Sequence, residues 1–135
     1  MDTFKTKDPN AVKAIIGPIV KYFEKEEIKD YEPEHLLKWL RYNIGNPMIG
    51  VWICIDNDET KGFAIAMMQA GLDREYVIVS HIYAEVPEIE SDFLQKIEDW
   101  SRKYGIQDIR AITKHPKRWK DYGYVVSEHI LRREL

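Results

Sequence analysis

The chain has 135 residues, 44% hydrophobic and 32% charged, which suits one globular domain able to bury its own core. Its net charge of −3 is spread along the sequence and argues against a dedicated nucleic-acid binder, which needs a basic surplus to neutralise phosphates. A single cysteine, Cys54, excludes an internal disulfide and any cysteine-built metal cage.

Residues 1–9 are polar and charged, so no signal peptide is expected there. No apolar run approaches the roughly 20 residues of a membrane span. A cytoplasmic address, without membrane or nucleic-acid partners, is the expectation. Asp8-Pro9 reads as an N-cap followed by proline in a first helical turn. Val12, Ile15, Ile16, Ile19, Val20 and Phe23 then recur at helical spacing and predict one buried stripe. Gly17-Pro18 interrupts it and predicts a kink or break, because proline removes a helix hydrogen bond. Pro33 opens a second helix with Leu36, Leu37, Leu40 and Ile44 facing inward, ending near Gly45-Asn46-Pro47.

Strands are predicted over 49–55 and 62–70, joined through the turn-rich segment 56–61 as a hairpin. Cys54 lies in the first of them and reads as packed rather than reactive. Residues 75–85 form a third strand, apolar on both faces and therefore central. Leu94, Ile97, Trp100 and Ser101 mark an amphipathic helix closed by Tyr104-Gly105. A strand over 106–113, a short helix over 116–122 and a closing strand over 124–135 complete the reading.

Antiparallel strands followed by a strand–helix–strand crossover give a mixed α/β sheet with helices on both faces. A right-handed crossover makes 75–85 and 106–113 parallel neighbours. Ligands of open α/β sheets lie at the carboxyl ends of such strands, here around residues 81–86 and 113–119.

Trp100-Ser-Arg-Lys-Tyr-Gly105 is similar to the W-A-x-x-x-G end of the long helix in GNAT (Gcn5-related) N-acetyltransferases. Asp121-Tyr-Gly-Tyr124 resembles the Y-E-K-x-G-F ending that introduces their last strands. The element order resembles that superfamily along the whole chain, and in particular its short divergent members found in phage genomes. The resemblance implies a GNAT-like, mostly antiparallel sheet with one parallel pair. It also implies an acyl-CoA-dependent transfer to an amine, on a small molecule or a protein. Acetyl-CoA would bind through the backbone of Ile82, Tyr83 and Ala84, with Lys114, Lys117 and Arg118 facing its phosphates and Trp119 lining the cleft.

Three positions depart from the family pattern. Its R/Q-x-x-G-x-G/A pyrophosphate loop is replaced by Glu85-Val-Pro-Glu-Ile-Glu-Ser91, which has no glycine, loses an N–H at Pro87 and adds three carboxylates. Trp119 stands where the family often has a tyrosine acid, and an indole N–H is no proton donor at neutral pH. The asparagine common after the penultimate strand is missing around 113–115. These departures imply an alternative: a GNAT-fold protein that binds a ligand or partner without catalysis.

For amine acetylation a base must remove the proton of the attacking nitrogen. His81, Tyr83 and Glu85 alternate onto one face of the central strand. Glu85 is the first candidate base and His81 its alternative; a half-buried structural histidine beside a rim glutamate is the other reading of the same pair. Lys114, Lys117, Arg118 and Lys120 place four cations in seven residues, read as a solvated helix face or as phosphate ligands. His35, His115 and His129 have no spacing that matches a zinc signature. Trp39 and Trp100 are core candidates.

Overall fold

The computed structural model describes residues 1–113, 115–126 and 133. In chain order they form β1 (Asp2–Lys5), a 3-10 helix (Pro9–Ile15), α1 (Ile16–Lys25), α2 (Pro33–Asn43), β2 (Ile49–Asp56) and β3 (Glu59–Ala70). β4 (Glu75–Ala84), α3 (Pro87–Lys103), β5 (Ile109–Ala111) and α4 (Pro116–Lys120) follow. The strands make one sheet in the order β1-β2-β3-β4-β5, antiparallel except for the parallel pair β4–β5.

The sheet separates two apolar layers. On one face, Val12, Ile15, Ile19, Phe23, Leu36, Leu37, Leu40 and Ile44 of the N-terminal helices pack on Val51, Ile53, Phe63 and Ile65. On the other, Ile89, Phe93, Leu94, Ile97 and Trp100 of α3 pack on Trp52, Cys54, Ala64, Val77 and Val79. Trp52 meets Trp100 edge to face at 5.3 Å between centroids. Cys54 is fully buried in this layer, and Trp39 is only partly buried against the other. No helix among the described residues is long and apolar enough to cross a membrane.

Local chemistry accounts for most boundaries. The Asp8 carboxylate accepts the Asn10 N–H, as a helix cap does. The break expected at Gly17-Pro18 falls just before it: the 3-10 helix gives way to α1 at Ile16, so Pro18 lies in the first turn, where its missing N–H leaves no gap in the ladder. The inward face of α1 is therefore Ile19, Tyr22 and Phe23, and Ile16 and Val20 are exposed, contrary to the single stripe expected. The hairpin is tighter than the expected segment 56–61. Asn57 and Asp58 both have positive φ, 51° and 63°, the two-residue turn that matches strand twist, and Asp56 pairs with Glu59.

Other differences concern the edges. β1 was not expected, because Asp-Thr-Phe-Lys has only one apolar residue; it forms by hydrogen bonding along β2. The strand expected over 106–113 pairs only at Ile109–Ala111. Tyr124, Val125 and Val126 lie in no strand, and the rest of the closing strand expected over 124–135, His129 included, lies outside the described residues apart from residue 133.

Two bulges shape the end of β4. The register moves from Ile65↔His81 to Ala66↔Val79, so Ser80 is an extra residue on β4. A second shift, from Cys54↔Gly62 to Ile55↔Thr60, makes Lys61 extra on β3. Gly62 permits the close approach beside it, since a Cβ there would sit 2.5 Å from the Tyr83 carbonyl oxygen.

Candidate functional site

The bulge at Ser80 decides which way the functional side chains point. Side chains alternate along a regular strand, so Val77, Val79, His81 and Tyr83 would all share the α3 face. Val77 and Val79 do pack there, but after the extra residue it is Ile82 and Ala84 that join them. Tyr83 turns into the layer under α1 and α2, and His81 meets the Tyr22 ring of α1 at 5.7 Å. β5 stops pairing at Val79, so residues 80–84 of β4 have no β5 partner. Ile82, Tyr83 and Ala84, the residues expected to present main chain to a CoA, are each less than 10% exposed.

His81 sits in a directed hydrogen-bond chain. The Ser80 hydroxyl donates to the Ile65 carbonyl at 3.2 Å and so accepts from the Nδ1–H of His81 at 2.9 Å. That assignment leaves the Nε2 lone pair to accept from the Tyr31 hydroxyl at 3.2 Å. Burial pushes the His81 pKa down to about 4, so the imidazole is neutral at pH 7. Burial likewise raises the Tyr22 and Tyr31 phenols, which stay protonated. Tyr31, from the connection between α1 and α2, stands edge-on to Phe23 at 5.2 Å and near His35 at 6.5 Å.

Glu85 is placed differently. Its carboxylate takes a hydrogen bond from Lys21 at 3.1 Å and an ion pair from Lys61 at 3.3 Å. Its backbone N–H donates to the carbonyl of the bulged Lys61. The Lys21 hydrogen bond, with Lys61 behind it, holds the Glu85 carboxyl below its ordinary range. A carboxylate so stabilised has little tendency to take up a proton.

The cations expected to face phosphates are also accounted for. Arg118 lies 3.8 Å from Glu26 at the end of α1 and 3.7 Å from Glu90 in the first turn of α3. His115 reaches Glu26 at 3.3 Å. Lys117 is exposed, and Lys114 lies outside the described residues. Trp119 is 5% exposed, packed against the α3 layer and edge-on to Tyr124 at 5.1 Å. Arg118 thus ties α4 both to the end of α1 and to the first turn of α3.

Comparison with known proteins decides what this architecture is. No family model and no curated relative matches the sequence. Solved structures do. A protein described as a predicted acetyltransferase from Clostridium acetobutylicum, solved with acetyl-CoA, superposes with a TM-score of 0.81 at 14% identity, over 98% of this chain and 95% of the other. An aminoglycoside N-acetyltransferase in complex with CoA gives 0.80 at 11% identity, over 99% and 93%. A ribosomal-protein-alanine N-acetyltransferase from Brucella melitensis gives 0.74 at 11%, over 98% and 100%. The chain has the GNAT fold.

The first turn of α3, where the family resemblance expects a pyrophosphate loop, holds Pro87, Glu88 and Glu90, with Glu90 buried and ion-paired to Arg118. Those carboxylates already occupy the positive end of the α3 dipole and oppose a second anion. Sequence reasoning missed Tyr31, Ser80 and the lysine partners of Glu85. Tyr31 lies in a patternless connection, and Lys21 and Glu85 are 64 residues apart.

Proposed function

We propose that this protein is an N-acetyltransferase that takes its acyl group from acetyl-CoA, held by the pantetheine arm rather than the diphosphate. The observation that carries this reading is the bulge at Ser80. It turns His81 onto the α1/α2 face at the point where β5 pairing stops. The thioester, when bound, supplies an electrophilic carbon. The chain supplies a neutral imidazole, fixed in one tautomer by Ser80, as the final acceptor of the amine's proton. Low basicity suits that task, because an amine N–H becomes acidic as its nitrogen bonds to the acyl carbon. Glu85, neutralised by Lys21 and Lys61, holds the strand end in place. The acceptor is an amine; the aminoglycoside and ribosomal-protein enzymes of similar fold carry theirs on very different molecules, so the fold does not choose between them.

The test is acetyl transfer from acetyl-CoA to simple primary amines by three proteins. His81→Gln is expected to lose about 10²- to 10⁴-fold in kcat. Glu85→Gln is expected to stay within about threefold of wild type and to change stability by less than about 0.5 kcal/mol. The reverse order would restore Glu85 as the base.

A second reading is favoured by Arg118 between Glu26 and Glu90 and by the buried Trp119: a GNAT-fold protein that binds without catalysis. No turnover by wild type with any amine would select it.

A further inference from the structure

We propose that the Tyr31 hydroxyl, rather than the His81 imidazole, is the group that meets the acceptor amine, and that it passes the amine's proton inward to His81. The proposal rests on the acyl-transfer reading above and assigns a catalytic residue to it.

Both ring nitrogens of His81 are engaged, Nδ1 with Ser80 and Nε2 with Tyr31, and the Tyr22 ring stands edge-on beside them. An amine approaching Nε2 has to displace the Tyr31 hydroxyl that already occupies it. Tyr31 is the outward member of the chain, 37% exposed, and its ring is held by Phe23. The direction of the chain is also set from the inside. Ser80 O–H is committed to the Ile65 carbonyl, His81 Nδ1–H to Ser80, and Tyr31 O–H to Nε2. The phenol oxygen's own lone pairs are then the acceptor left at the solvent end. The groups facing His81 are Tyr22 from α1, Tyr31 from the connection, Ser80 from β4 and the apolar Ile65 opposite on β3. Among the described residues no carboxylate or ammonium hydrogen-bonds to it.

The step balances without a further reagent. The amine nitrogen bonds to the acyl carbon and the carbon–sulfur bond breaks. The amine proton passes to the Tyr31 oxygen as the Tyr31 proton passes to His81 Nε2. The thiolate leaves with a proton from solvent, and His81 returns its proton to water, so amine and thioester become amide and thiol.

Tyr31→Phe keeps the ring and deletes the hydroxyl. Two readouts test it. In long-range ¹H–¹⁵N spectra of histidine-labelled protein, wild-type His81 is expected as the neutral Nδ1–H tautomer. In Tyr31→Phe the Nε2 lone pair loses its O–H donor, and the His81 Nε2 resonance is expected to move away from its wild-type position. With acetyl-CoA and spermidine or kanamycin as amine probes, Tyr31→Phe is expected to lower kcat about 100-fold while the KM for acetyl-CoA is unchanged. An unmoved His81 Nε2 resonance, or a wild-type kcat in Tyr31→Phe, overturns the relay and leaves the transferase reading standing. A wild-type chain that consumes no acetyl-CoA with either probe, nor with other primary amines, overturns that reading and the catalytic role of Tyr31 with it.

Discussion

Trp119→Ala is expected to lower stability by about 3–5 kcal/mol, and Trp119→Phe by far less. Trp119 is 5% exposed and packs with Tyr122 and Tyr124 onto the layer formed by Phe93, Leu94 and Ile97 of α3. Truncation to alanine removes that apolar surface and leaves a cavity that a short helix closes poorly. The indole Nε1–H is buried with no hydrogen-bond partner among the described residues. An unsatisfied buried donor costs about 1–3 kcal/mol, so phenylalanine removes a penalty while keeping most of the ring. The check is denaturant unfolding of wild type and both variants, read as a shift in midpoint at constant m-value. If Trp119 instead lined an open cleft, Trp119→Ala would fall within about 0.5 kcal/mol of wild type.

The second large effect is a pH dependence of stability. The folded His81 pKa is about 4 against an ordinary 6.5, so between those values the unfolded chain binds the proton and the folded chain does not. Above pH 6.5 His81 is neutral in both states and contributes no slope. As pH falls from 6.5 toward 4, stability is lost, by about 3 kcal/mol in all, and below pH 4 this contribution levels off. That is a large part of the 5–15 kcal/mol typical of a folded domain. Unfolding free energies measured across this window should show the slope in wild type and lack it in His81→Gln. An identical slope in both would place the effect elsewhere, in the carboxylates.

The sequence carried the fold further than the site, and the reason is physical. The helices of 33–43 and 87–103 bury one apolar face each, which Leu36, Leu40, Phe93 and Ile97 advertise by spacing alone, and the hairpin strands bury both faces as near-continuous apolar runs. Parallel pairing of β4 with β5 follows from the handedness of the crossover. β1 has no such pattern, since its stability comes from an edge of β2 that is distant in sequence. The placing of His81, Tyr83 and Glu85 on one face holds within those residues. Their separation from Val77 and Val79 does not follow from strict alternation, because one extra residue at Ser80 reverses it. The partners that set the chemistry, Tyr31 for His81 and Lys21 for Glu85, lie 50 and 64 residues away and leave no local signal.

In the function proposed above, acetyl-CoA binds through its acyl-bearing arm. Calorimetric titration with acetyl-CoA and, separately, S-acetylpantetheine, at low and at physiological salt, tests it most directly. Both are expected to bind with a Kd of about 0.1 mM, close to −5.5 kcal/mol, with little loss on adding salt, because Glu88, Glu90 and the ion-paired Arg118 give the diphosphate no anchor. No heat from either ligand up to several millimolar, roughly the weak limit of a specific site, would contradict it.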